Sequence, residues 1–183
     1  MTAAYLKEQT KPLHDALEQK MMVSKIFNRT LKKDVYFKIL KVNLLVHQKI
    51  EPVINSNLPD NIKSELNIEE RQKTPHLIND IGSLNENINS DFQLNNSDEA
   101  LGALYVLEGA SLGGNVIKKQ LLQNPEFADV SFHYYGMYGE KLSENWKSFL
   151  KILEENVSDK YAALSGASKT YHLFLKSAES TMQ

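Results

Sequence analysis

From Leu31 to about Asn55 the chain carries apolar residues at helical spacing on more than one face, and this segment limits the fold more than any other. Val35, Ile39, Val42, Val46 and Ile50 share one side of a helix drawn at 100° per residue, while Tyr36, Leu40 and Leu44 lie on another. A helix apolar over so much of its circumference must be surrounded, which predicts a central helix with others packed on it. The remaining segments carry the one-sided patterns such neighbours need. Leu6, Leu13 and Leu17 form a stripe near the start, where Pro12 predicts a kink or a helix beginning near Thr10. A polar helix is expected around 62–83, disturbed by Pro75. Ser97 followed by Asp98 and Glu99 reads as an N-cap and acidic first turn, opening a helix to about Leu122. Trp146, Phe149, Leu150 and Leu153, started by Ser143, mark another helix. Tyr161, Leu164, Ser168, Tyr171 and Leu175 mark the last. The asparagine-rich stretch 85–98 reads as a polar loop. No run alternates as a strand does, so the expectation is an all-α single domain over 1–183, helix packed on helix.

Composition removes several function classes. A net charge of −2 offers no basic surplus for nucleic acid. The absence of cysteine excludes disulfides, thiolate zinc sites and a cysteine nucleophile. The opening MTAAYLKEQTKPLHDALEQ carries Lys, Glu and Asp where a signal peptide needs an apolar core. No segment is expected to reach the roughly 18 uncharged apolar residues of a membrane span. A soluble, cytoplasmic setting without membrane insertion is therefore expected. No two histidines stand at i, i+4 and no HExxH, GxGxxG or Walker A sequence occurs. No acyl-transfer nucleophile is expected either.

Two segments carry more than packing requires. On the first helix Lys7, Lys11, His14 and Glu18 fall within about 60° of one another, beside the leucine stripe. An imidazole next to the core, with ammonium groups a turn or two before it, suits a haem. The iron takes a neutral imidazole nitrogen and the propionates seek cations. Glu18, one turn on, is placed to orient the imidazole directly or through water. The same spacing also describes a surface histidine beside solvated lysines.

In the second segment, EALGALYVLEGASLGGNVIKKQLLQ, Gly102, Gly109 and Gly113 lie within about 40° on the helical wheel, with Gly114 just outside. Each interior glycine costs roughly 1 kcal/mol of helix propensity, so four sacrifice about 4 kcal/mol. Three readings account for that cost: a backbone bared to a flat cofactor, close helix–helix packing, or a helix ending at Gly113–Gly114.

Together these residues carry a family resemblance. LKEQTKPLHDALE, from Leu6 to Glu18, resembles the proximal helix of haem oxygenases. GALYVLEGASLGGNVI, from Gly102 to Ile117, resembles the distal helix of their bacterial, phytochrome-associated, biliverdin-producing branch. ERQKTPHLINDI at 70–81 resembles the family's Arg…Leu…Asp helix, and FHYYGMYGEKLSENWKSFL resembles its aromatic segment and Trp…Phe helix. The resemblance implies a haem held between a proximal N-terminal helix and a kinked, glycine-rich distal helix. It implies His14 as axial iron ligand, Lys7 and more weakly Lys11 near a propionate, and Glu18 near the proximal histidine. Gly109 and Gly113 would form the catalytic distal wall, with Tyr134 and Tyr135 on the propionate side. Where mammalian-type members carry an Asp that organises distal water, this chain has Ala110, as small residues stand there in many bacterial members.

The implied reaction is oxidative cleavage of haem to biliverdin, carbon monoxide and ferrous iron. It uses dioxygen and an external ferredoxin-, flavodoxin- or reductase-type electron donor. The alternatives are a non-catalytic haem carrier or sensor on the same fold, favoured by Ala110, and a helical interaction module without haem. Of the other histidines, His47 is expected at the core edge with a backbone or water partner, His76 in solvent and His172 in a structural role. His133 is a further candidate beside Tyr134.

Overall fold

A computed structural model describes residues 1–84 and 91–183. The part of the expected polar loop at 85–90 lies outside the described residues. In chain order the α-helices are α1 (Thr2–Lys20), α2 (Val23–Phe27), α3 (Lys33–Asn57), α4 (Asp60–Leu66), α5 (Thr74–Ile81), α6 (Ser97–Leu121), α7 (His133–Gly136), α8 (Leu142–Asn156) and α9 (Lys160–Thr181). No strand occurs among the described residues.

The central position expected for the second long helix belongs to α3. Tyr36, Ile39, Leu40, Val42, Leu44, Val46 and Ile50 are all buried, and α5, α6 and α9 pack around them. α1 begins at Thr2 and runs through Pro12, so the expected start near Thr10 is not found. Pro12 lies on the exposed side, and so does Glu8, whose carbonyl loses its partner to the ring; water can satisfy it there. The early start has a tertiary cause. The Glu154 carboxylate, from α8, accepts from the Thr2 and Ala3 backbone N–H groups at 2.7 and 2.9 Å.

The single polar helix expected over 62–83 is instead three pieces. Asn67, at φ 49°, ends α4 in the left-handed region, a 3-10 turn spans Ile68–Arg71, and α5 follows. Pro75 sits in the first turn of α5, where its missing donor costs nothing, so it opens a helix rather than disturbing one.

The cap of α6 is Asn96, not Ser97: its side chain accepts from the Glu99 N–H at 2.9 Å. Asp98 and Glu99 are buried and engaged with α9. Asp98 accepts from the Ser158 and Asp159 backbone N–H groups just before that helix, and Glu99 pairs with Lys169 at 2.7 Å. α6 then continues to Leu121 through all four glycines, so no helix ends at Gly113–Gly114.

α6 and α9 cross with their backbones in contact. A Cβ on Gly102 would lie 1.8 Å from the Ala163 carbonyl oxygen, and one on Gly166 would lie 1.9 Å from that of Glu99. Only glycine fits at either position. α6 is also, among the described residues, the one helix long and apolar enough to cross a membrane, against the expectation that no segment is. Half of its most apolar window is buried inside the protein, and the charge within it, Glu108, is paired there.

Candidate functional site

A cavity of about 760 Å³ opens between α1, α2 and α6, with α3, α7, α8 and α9 closing its sides. That is the size range of small-molecule and cofactor sites. It gathers the residues singled out in the sequence: Lys7, Lys11, His14 and Glu18 from α1, Gly109 and Gly113 from α6, and Tyr134 and Tyr135 from α7.

His14 is the only histidine among the described residues lining the cavity. Its side chain is 52% exposed, and its ring meets Tyr171 edge-on at 6.3 Å. Burial pushes the Tyr171 phenol up to about 12, so this neighbour stays neutral. The Glu18 carboxylate lies 3.8 Å from Nε2, too far for the direct hydrogen bond that the spacing allowed. Asp15, overlooked in the sequence although adjacent to the imidazole, lies 3.7 Å from Nδ1. Whichever nitrogen binds a metal, the other faces a carboxylate. Asp15 also takes Lys11 at 2.5 Å, and that bond holds its carboxyl below the ordinary range.

On α6 the glycine stripe divides. Gly102 serves the crossing with α9. Cβ atoms built at Gly109 and Gly113 meet nothing within 4 Å, so both backbones are bare towards open space. Gly114 packs against Tyr135, whose ring would lie 3.0 Å from a Cβ there. Ala110 lines the cavity beside them and offers no side-chain hydrogen bond. Residues 109–113 read Gly-Ala-Ser-Leu-Gly, a G-x-S-x-G string that runs against the expectation of no nucleophile pattern. The structure removes it: Ser111 is mid-helix with its hydroxyl on the Leu107 carbonyl at 3.3 Å, not on a strand-to-helix turn.

A polar wall was missed. His47 is fully buried, and its partners are side chains rather than backbone or water. Nδ1 lies 3.1 Å from Glu51 and Nε2 lies 3.4 Å from the Tyr134 hydroxyl. The Ile39 carbonyl can only accept, so it fixes Asn43 Nδ2 as the donor to it at 2.8 Å. Asn43 Oδ1 is then left to accept from the Tyr134 hydroxyl at 3.0 Å. Asn43 and Tyr134 both line the cavity. Burial pushes the Glu51 carboxyl up, but the bonds from His47, Thr74 and the Lys73 N–H outweigh it and hold it below the usual range. The available signal was the Asn43–His47 pair at i, i+4 on an otherwise apolar helix. Asp80, in the 70–81 motif, fixes α7 by accepting from the His133 and Tyr134 N–H groups at 2.8 and 2.9 Å. His133 itself is not among the lining residues. His76 is partly buried rather than solvated, and His172 donates through Nδ1 to the Ser168 carbonyl at 2.8 Å.

Comparison with known proteins bears on the family and the fold. A heme oxygenase of Xanthomonas campestris pv. campestris (strain 8004) is 29% identical over 109 residues, 57% of this chain and 66% of that protein. The match thus spans just under two thirds of the curated relative's length. The NO- and CO-bound heme oxygenase from Neisseria meningitidis superposes with a TM-score of 0.74 over 100% of this chain and 92% of that one. At 19% identity that likeness speaks for the fold. The family model described as heme oxygenase matches residues 1–97, more than half of the 183 residues, and the chain belongs to the haem oxygenase family.

Proposed function

We propose that the cavity binds haem with His14 as the axial iron ligand. On this reading the chain is a haem oxygenase that uses dioxygen and external electrons to yield biliverdin, carbon monoxide and ferrous iron. One observation carries the reading: the His14 imidazole and the bare backbones of Gly109 and Gly113 open onto the same void. An imidazole supplies the ligand, and a helix stripped of side chains admits a flat macrocycle close to its backbone.

Bound haem supplies the oxygen chemistry on its own ring, and the chain binds, orients and encloses it. Asp15 and Glu18 orient the imidazole. Lys7 takes a propionate, and Lys11 does so by exchanging its Asp15 partner. Gly109 and Gly113 keep space above the ring plane, while Leu112, Val116 and Ile117 exclude water from it. Tyr135 packs at the haem edge. Electrons come from a cytoplasmic ferredoxin-, flavodoxin- or reductase-type donor.

Titration of the protein with haem, followed by absorption, tests binding. Reductant and oxygen added to the complex then test turnover through release of biliverdin and trapped carbon monoxide. A 1:1 complex that never releases biliverdin would establish the carrier or sensor reading, which Ala110 favours by offering no polar group to water. A protein that takes no haem would be the helical interaction module.

A further inference from the structure

Glu108 immediately precedes Gly109, and its carboxylate is 1% exposed. It accepts from Arg71 Nη1 at 2.6 Å, from the Lys73 ammonium, and from the Tyr138 hydroxyl at 2.9 Å. Lys73 is equally buried and also donates to the Arg71 carbonyl at 2.8 Å and to the Tyr138 oxygen at 3.2 Å. Arg71 also donates through Nε to the Leu66 carbonyl at 2.6 Å and through Nη2 to the Asn145 carbonyl at 3.3 Å. Two cations thus share one carboxylate out of water. Such a set is a poor source of net stability, because desolvation consumes most of the attraction.

Its anchoring points suggest another role. Three of them, Glu108, Asn145 and Tyr138, stand within a turn of cavity wall in sequence. Gly109 follows Glu108, Trp146 follows Asn145, and Tyr134 and Tyr135 stand one turn before Tyr138. Three separate elements are therefore linked at one carboxylate, the segment at Asn145 through Arg71, close in sequence to the surfaces they present.

We infer that this cluster sets the spacing of the cavity wall. Glu108 is a positioning residue that holds the Gly109 backbone, the Trp146 ring and the Tyr134–Tyr135 pair at the separation haem requires. The inference rests on the haem binding proposed above. The stoichiometry distinguishes the members. Lys73→Met leaves the Arg71–Glu108–Tyr138 links in place. Tyr138→Phe releases the aromatic segment, takes one acceptor from Lys73 and changes no charge. Glu108→Gln leaves two buried cations facing a neutral amide and loosens all three ties.

Trp146 is the one tryptophan of the chain, so its emission and acrylamide quenching report the wall with no haem present. The test measures that signal, the thermal midpoint and the haem Kd for the wild type and the three variants. Glu108→Gln is expected to shift Trp146 emission and to raise the haem Kd about 10-fold or more, as loss of an outer partner does at other sites. Tyr138→Phe should shift both in the same direction by less, and Lys73→Met should leave both unchanged. Variants that lose thermal stability yet keep wild-type Trp146 emission and haem affinity would overturn the inference, making the cluster a fold element only. If Glu108→Gln does not fold, Tyr138→Phe decides by the same two readouts. If the wild type takes no haem, the proposed function fails, and the Trp146 signal still decides the spacing role.

Discussion

Gly102 and Gly109 sit seven residues apart on nearly the same face of α6, and replacing each with alanine should move stability in opposite directions. At Gly109 a Cβ meets nothing within 4 Å, so the helix simply gains propensity. The haem-free protein should become more stable by up to about 1 kcal/mol. For a chain of this size that raises Tm by about 2–4 °C. At Gly102 the new Cβ would lie 1.8, 2.6 and 2.8 Å from the carbonyl oxygen, carbonyl carbon and Cα of Ala163. These are backbone atoms and cannot rotate away, so α6 and α9 must part. Overpacking of that kind costs roughly 3 kcal/mol, the upper part of its usual range. After about 1 kcal/mol of regained propensity, a net loss of about 2 kcal/mol remains. Tm should fall by roughly 4–8 °C. Thermal unfolding followed by circular dichroism, without haem, measures both. Haem titration of Gly109→Leu completes the set: its apoprotein should fold normally while its cavity rejects haem or holds it without room for oxygen. A Gly109→Ala protein less stable than wild type, or a Gly102→Ala protein more stable, would refute the division of the stripe into a crossing and a cavity face.

Three further outcomes are expected. His14→Ala should abolish the iron–imidazole stretch in the resonance Raman spectrum of the ferrous haem complex; its persistence would move the ligand to another histidine. Lys7→Glu should weaken haem binding by no more than about tenfold, since an exposed pair of this kind is worth about 1 kcal/mol; unchanged affinity and product isomer would make Lys7 a solvated helix residue. Glu51 has a folded-state value depressed below the ordinary 4.5, so its stabilisation is present above that value and lost as pH falls through the depressed one. Glu51→Gln should therefore flatten the acid limb of the stability–pH curve, and an unchanged limb would show that Glu51 contributes no such term.

Interior pattern was legible in the sequence because burial repeats along one element. The circumference of α3 and the alignment of Lys7, Lys11, His14 and Glu18 needed only the helical angle. What escaped depends on residues distant in sequence. The start of α1 is set by Glu154, about 150 positions away. The difference between Gly102 and Gly109 lies in what stands opposite, since the two share a face about 10 Å apart along the axis. Gly166, the counterpart of Gly102 in the crossing, had no visible reason to be paired with it. His47 was legible as a core histidine, but Tyr134 reaches it from 87 residues further on. Glu108 is the one charge in 100–117, and nothing in its own helix points to its cations, which lie between α4 and α5.

The open cavity between α1 and α6 ties the lifetime of the fold to its occupant. A ligand that binds only the folded chain stabilises it by mass action, by about 2.7 kcal/mol when its free concentration is 100 times Kd. On the proposed function that ligand would be haem, which the chain itself would consume. Each turnover would then remove the molecule that completes the interior and return the protein to its less protected form. Proteolytic susceptibility would rise as haem is exhausted and fall as it accumulates, so the amount of enzyme would follow the supply of haem with no separate regulator.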